Sequence, residues 1–98
     1  MMVNEIENDR ELQQVLWACY KFWRDEWLSP EKRIVCYTWV VRVYEERFGV
    51  KFHQSSLRRL AKLGLLKQGD TSRSGHRRYY RIVAPDQVED LLKKWNLS

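Results

Sequence analysis

Residues that interrupt regular structure are scarce in this chain of 98 residues, which has four glycines and two prolines. This composition leaves little room for long linkers, so it predicts one folded domain. Long apolar runs are also absent: none approaches the roughly 20 residues that span a bilayer as a helix. The N-terminus is acidic and lacks the basic and apolar regions of a signal peptide. We therefore expect a cytoplasmic protein without a membrane partner.

Cysteine and histidine are equally scarce, with two residues of each type. Cys19 and Cys36 lie in apolar surroundings, so we expect reduced and packed thiols, although a disulfide between them stays open. No two of Cys19, Cys36, His53 and His76 have the spacing of a metal motif. The sequence also lacks a phosphate-binding Gly-rich loop and an evident nucleophile–base pair. We predict no metal, no cofactor, no catalytic residue and no enzyme activity.

Acidic residues are nearly missing from one third of the chain. Between Lys51 and Val83 the only acid is Asp70, whereas nine residues are basic, which gives this segment a net charge of +8. The remainder has nine basic and twelve acidic residues, and therefore a net charge of −3. Because the positive charge is segregated, it favours a polyanionic partner such as nucleic acid. The nine basic residues are Lys51, Arg58, Arg59, Lys62, Lys67, Arg73, Arg77, Arg78 and Arg81.

Apolar residues recur at helical spacing in the first part of the chain. We expect a flexible tail over residues 1–8 and a single domain over residues 9–98. Asn8 or Asp9 can cap a first helix that runs to about Trp27.

A second helix is predicted to begin at Ser29-Pro30-Glu31 and to end at Gly49. Its stretch 34–41 is rich in β-forming residues and also fits a buried strand. Length and flanking residues favour the helix, while a short extended segment near 33–35 stays open.

The basic segment begins with a third predicted helix, over about 53–63, which ends at Gly64. Leu57, Leu60 and Leu63 are spaced three apart and are expected to face the core.

A β-hairpin is predicted over about 65–83, because two short strands flank a polar, turn-rich loop. Alternation along its second strand places Tyr80 and Ile82 in the core, whereas Tyr79 can either pack or contact a ligand. A C-terminal helix is expected over about 85–96.

This order of elements predicts a mainly α protein with a small β-hairpin, an α+β fold. Flanked by helices, the segment from Val41 to Val83 resembles a winged helix-turn-helix domain, and the whole is similar to small MarR- and PadR-like regulators and archaeal viral or plasmid proteins. In many members a Ser or Thr caps the recognition helix, where this chain has Lys51-Phe52-His53. The resemblance is carried by Tyr44-Glu45-Glu46-Arg47-Phe48-Gly49-Val50, by Ser55-Ser56-Leu57-Arg58-Arg59-Leu60-Ala61-Lys62-Leu63-Gly64-Leu65-Leu66 and by Gly75-His76-Arg77-Arg78-Tyr79-Tyr80-Arg81-Ile82.

The resemblance implies double-stranded DNA as the partner. The helix over 53–63 would be the recognition helix in the major groove, and the hairpin over 65–83 would be a wing on the flanking backbone or minor groove. Basic, amide and hydroxyl side chains there can bind base edges or phosphates. The DNA-binding residues expected on this basis are Lys51, His53, Gln54, Ser55, Ser56, Arg58, Arg59, Lys62, Arg73, Ser74, His76, Arg77 and Arg78.

Tryptophan is abundant, with five residues, all in predicted helices outside the basic segment. We expect Trp23, Trp27 and Trp39 to fill the core. The two terminal helices carry more apolar surface than one winged-helix core needs, which predicts a homodimer joined through them. The interface residues expected are Trp17, Leu91, Leu92 and Trp95.

Together these features predict a dimeric, sequence-specific transcriptional regulator of prokaryotic or archaeal type. One alternative is a plasmid or viral partition, replication or DNA-organising adaptor that spreads along DNA. Another is a winged helix that binds only proteins, which the +8 charge of the basic segment disfavours.

Overall fold

A computed structural model of the protein describes residues 3–71 and 77–97. A short helix α1 (Val3–Glu7) precedes α2 (Arg10–Arg24), and Ile6 has no exposed surface. The side-chain amide of Gln13 donates to the Ile6 carbonyl at 3.0 Å and so ties α1 to α2. The prediction of a flexible tail is therefore wrong over residues 3–8, because an apolar residue anchors this segment.

Helix α2 begins and ends where local hydrogen bonds dictate. Asp9, one of the two caps that the sequence predicted, is the N-cap of α2. The Oδ1 atom of Asp9 accepts a hydrogen bond from the Leu12 amide at 3.0 Å. The helix ends at Arg24, earlier than expected, and Trp27 in the following loop is 87% exposed. The placement of Trp27 in the core is therefore wrong, whereas Trp23 is buried as predicted.

The chain then crosses to the sheet before it enters the next helix. A 3-10 turn (Pro30–Lys32) leads to Val35, whose amide donates to the Tyr80 carbonyl at 2.9 Å and whose carbonyl accepts from the Tyr80 amide at 2.8 Å. Helix α3 (Tyr37–Phe48) follows and ends at Gly49, which has a φ of 77°. The extended segment left open near 33–35 is present, so the predicted second helix begins later than expected.

The basic segment forms a helix and a hairpin, as predicted. Helix α4 spans Ser55–Lys62 and buries Leu57 and Leu60. Strands β1 (Leu66–Thr71) and β2 (Arg78–Ile82) pair antiparallel.

The final helix, α5 (Pro85–Lys94), packs against α2, which also contacts α1, α3 and α4. Helix α2 is thus the centre of the core, and the described residues form a mostly helical α+β fold with a two-stranded antiparallel sheet, as expected. None of the described helices is long and apolar enough to cross a membrane.

Candidate nucleic-acid interface

Helix α4 has a sharply divided surface. Ser55, Arg58 and Lys62 are spaced three and four positions apart, so they lie on one side of the helix, and all three are exposed. We call these three residues the α4 stripe. The opposite side, with Leu57 and Leu60, is buried against the core. The apolar side therefore fixes which side chains α4 presents to solvent.

The N-cap residue of α4 is Gln54, whose side chain makes no cap hydrogen bond, and the preceding residue His53 acts in its place. Its ring Nδ1 accepts from the Ser55 amide at 3.1 Å and lies 2.9 Å from Ser55 Oγ. Acceptance at Nδ1 uses the neutral ring with its proton on Nε2. The carbonyl of His53 also accepts from the Ser56 amide at 3.0 Å, so the chain turns into the helix at this residue. His53 is exposed, but its Nδ1 edge is used within the protein.

Arg59 points away from the α4 stripe and forms ion pairs with two carboxylates of the same chain. Its Nη2 lies 2.9 Å from Asp9 Oδ2 and 3.4 Å from Glu5 Oε1. Hydrogen bonding to Asp9 is the main reason that the pKa of Arg59 is raised. This ion pair ties α4 to the N-terminal end of α2 and competes with the predicted contact between Arg59 and DNA.

One of the DNA contacts predicted on α4 lies on its buried side. Ser56 is only 4% exposed, because it lies on the buried side of the helix next to Leu57. Its hydroxyl cannot reach a ligand without opening the core. The predicted residues around α4 that remain exposed are Lys51, His53, Gln54, Ser55, Arg58 and Lys62.

The hairpin also presents one side to the core and one to solvent. Leu66 lies opposite Ile82, and both are buried together with Tyr80, as predicted for the two residues of β2. Lys67 lies opposite Arg81 on the other side, and both are exposed. Arg81 Nη1 donates to the Glu31 carbonyl at 2.7 Å, which joins the hairpin to the 3-10 turn.

A row of three rings positions the base of the hairpin. Phe22 stacks on Trp39 with ring centroids 5.4 Å apart, and Trp39 contacts Tyr79 at 5.8 Å. The guanidinium of Arg77 lies over Trp39, 5.9 Å from the ring centroid. Phe22, Trp39 and Tyr79, which we call the aromatic row, thus orient a cation of the hairpin. The sequence could not indicate this role, because the three rings come from α2, α3 and β2.

Arg77 immediately precedes β2 and Arg78 begins it, and both residues are exposed. The other predicted wing residues, Arg73, Ser74 and His76, lie outside the described residues.

Carboxylates are distributed so that part of the basic segment keeps its positive charge. Arg59 of this segment forms salt bridges with Asp9 and Glu5. Lys51, Arg58, Lys62 and Lys67 form none with another described residue. An anion that approaches the exposed side of α4 therefore meets cations without a competing carboxylate from the described residues.

Two of the four residues assigned to a dimer interface are inside the protein. Leu92 is 1% exposed and Trp95 is 8% exposed, and Trp95 Nε1 donates to Glu7 Oε2 at 3.2 Å. Their surface is already covered by their own chain, so this part of the prediction is wrong. Trp17 and Leu91 are half-buried and retain surface that a partner can contact.

The two cysteines are free thiols and both are buried, as their apolar surroundings predicted. Burial raises the pKa of the Cys19 thiol far above its ordinary value, so this group stays protonated.

Comparisons of the chain with protein-family models, with curated proteins and with solved structures gave no match. The assignment of a function therefore depends on the geometry and charge of the chain's own residues.

Proposed function

We propose that the protein binds double-stranded DNA sequence-specifically as a winged helix-turn-helix transcriptional regulator. In this proposal α3 and α4 are the helix-turn-helix, α4 is the recognition helix, and β1 and β2 are the wing. The extended residue Val35 forms an isolated β-bridge with Tyr80 and so joins the chain before α3 to the wing. Helices α1 and α5 then flank the domain.

The observation that carries the proposal is the separation of two neighbouring arginines. Arg58 is exposed without a carboxylate partner among the described residues, whereas Arg59 is paired with Asp9 and Glu5. The two side chains point in directions roughly 100° apart around α4, so Arg59 reaches the carboxylates beside α2 while Arg58 faces solvent. Arg58 and Lys62, which form no salt bridge with a described residue, lie on one side of α4, the side that a recognition helix would turn to the major groove.

The exposed residues at and near α4 have the chemistry to bind both the base edges and the phosphates of a DNA duplex. Gln54 near its N-terminus has an amide that can pair with the edge of adenine, and Arg58 has a guanidinium that can pair with guanine. Ser55 and Lys62 are suited to phosphate oxygens. Arg77 and Arg78 extend the cationic surface to the hairpin, which contacts the flanking backbone or minor groove in this proposal.

The test is a DNA titration at several salt concentrations. If about five of these cations neutralise phosphates, the logarithm of the association constant should fall with the logarithm of salt concentration at a slope of about −4 to −5. Selection from a random duplex pool should then yield a defined sequence that binds far more tightly than the pool. A binding curve without salt dependence would overturn the proposal and leave protein recognition as the function of the fold.

The length of the protected DNA separates a regulator from an organising adaptor. A regulator should protect a discrete site, whereas an adaptor for partition or DNA organisation should extend protection cooperatively as protein is added. We propose the regulator because its discrete readout uses the exposed amide and guanidinium of Gln54 and Arg58, which a protein that only coats DNA does not require.

A further inference from the structure

Helix α2 leaves one stripe of its surface uncovered. Gln14, Trp17, Lys21 and Arg24 are spaced three and four positions apart, and each is partly or fully exposed. Trp17 is the large aromatic residue in the middle of this stripe. A tryptophan in such a position provides a large contact area at low cost in conformational entropy.

Two grooves flank Trp17. One, of about 350 Å³, lies towards α3, where Val43, Glu46 and Arg47 line it. The other, of about 150 Å³, lies towards α5, where Glu89 and Lys93 line it. Trp17 and Lys21 line both grooves, so the two are adjacent parts of one surface, which we call the Trp17 surface.

The ring of Trp17 is held in place before any partner binds. Arg47 lies over the ring, 4.4 Å from its centroid, and Phe48 meets it edge-on at 5.7 Å. Because the ring is already oriented, little rotamer freedom remains to be lost on association.

The charges around Trp17 differ from those of the basic segment. Lys21 and Asp25 pair at 2.6 Å, and Lys93 lies 3.6 Å from Glu89, so both signs are present on each side. Glu46 adds an acid that forms no salt bridge with another described residue. In a twofold contact a surface meets itself, and a surface of one sign would repel its copy. The mixed and nearly balanced charges therefore fit a second copy of the same chain better than a polyanion.

We propose that the Trp17 surface is where two copies of the chain associate. The surface is built from α2, α3 and α5 and includes no residue of α4, β1 or β2, so the dimer keeps both recognition helices available. The inference rests on the proposed DNA-binding function for its purpose, which is to bring two recognition helices to one palindromic site.

The test is the mass in solution of the wild type and three variants, measured by sedimentation equilibrium over micromolar concentrations. The wild type should reach twice its 12.0 kDa chain mass. Trp17→Ala should raise the dissociation constant of the dimer at least about tenfold, because it removes the central ring. Glu46→Lys should do so as well, because it unbalances the charges, and this exposed position allows normal folding. Trp27→Ala removes an exposed tryptophan outside both grooves and should leave the dimer unchanged.

A monomeric wild type at every concentration would overturn the inference. So would a dimer that resists both Trp17→Ala and Glu46→Lys, or one that Trp27→Ala disrupts equally. A duplex with a single half-site separates this result from the proposed function. If Trp17→Ala binds that duplex as the wild type does, the substitution affects dimerisation and not DNA binding by the monomer. If the wild type dimerises but binds no DNA, the proposed function fails and the proposed dimer surface stands.

Discussion

The residues of the basic segment differ in whether their charges and hydrogen-bonding groups have partners within the protein. His53 and Arg59 were both expected to face DNA, yet His53 caps α4 and Arg59 pairs with Asp9. The sequence could predict that α4 has an apolar side, because leucine spacing reports it directly. It could not predict the Arg59–Asp9 pair, because the two residues are 50 positions apart and meet only through packing.

His53 offers a test of the cap at the level of one side chain. His53→Ala should lower the free energy of unfolding by about 0.5–2 kcal/mol, because the Ser55 amide loses its acceptor. His53→Ser should restore most of this loss, since a hydroxyl can accept the same hydrogen bond. Urea denaturation measures both. If serine and alanine destabilise the protein equally, the ring does not act as a cap.

Secondary-structure elements were predicted where their pattern is local. The hairpin, α4 and the buried Tyr80 followed from alternation and helical spacing, and the structure confirms them. The end of α2 and the exposure of Trp27 did not follow, because an aromatic residue continues an apolar pattern whether or not the core extends to it. The pairing of Val35 with Tyr80 was left open for a similar reason: a β-rich stretch shows the preference but not the partner.

The aromatic row gives a prediction about how the hairpin contributes to DNA binding. Trp39→Ala should weaken DNA binding about two- to fivefold on all sequences alike, because an exposed cation–π contact that orients Arg77 is worth about 0.5–1 kcal/mol. Trp39→Phe retains a ring and should bind nearly as the wild type does. Fluorescence anisotropy with a selected and an unrelated duplex measures both effects. A change in sequence preference would contradict a purely positioning role.

At the scale of the whole molecule, contacts between the chain ends close the fold. Glu7 of α1 contacts α5 through Lys94 Nζ at 2.8 Å and the adjoining Trp95 Nε1 at 3.2 Å. The hydrogen bond from Lys94 is the main reason, and that from Trp95 the next, that the pKa of Glu7 is lowered. A carboxyl whose pKa is lowered by folding stabilises the folded state when the pH is above the ordinary pKa of that carboxyl. This contribution disappears as the pH falls through the folded-state pKa.

This linkage predicts the pH range over which Glu7 matters. Glu7→Gln should lower the melting temperature at neutral pH, and the difference from wild type should shrink as pH falls below the ordinary value of 4.5. Thermal unfolding followed by circular dichroism between neutral and acidic pH measures the difference. A gap between the two proteins that stays constant, or widens in acid, would show that the Glu7 charge does not contribute in this way.

The whole molecule also separates its charges, and the proposed DNA binding depends on this separation. The basic segment carries a net charge of +8, but Arg59 lies in a partly exposed ion pair with Asp9 of the same chain, whereas Arg58 is exposed without such a partner among the described residues. Adjacent positions on one helix thus carry the same side chain in two different roles. They form a matched pair, since replacement of either removes the same charge and the same atoms.

The most direct measurement is the DNA affinity and thermal stability of Arg58→Ala and Arg59→Ala side by side. Arg58→Ala should lose about 1–3 kcal/mol of binding to the selected duplex, with an unchanged melting temperature. Arg59→Ala should bind nearly as the wild type does but unfold more easily, by about 0.2–1 kcal/mol for each exposed ion pair lost. Equal losses of affinity in the two variants, or a loss confined to Arg59→Ala, would contradict the assignment of the exposed side of α4 to DNA.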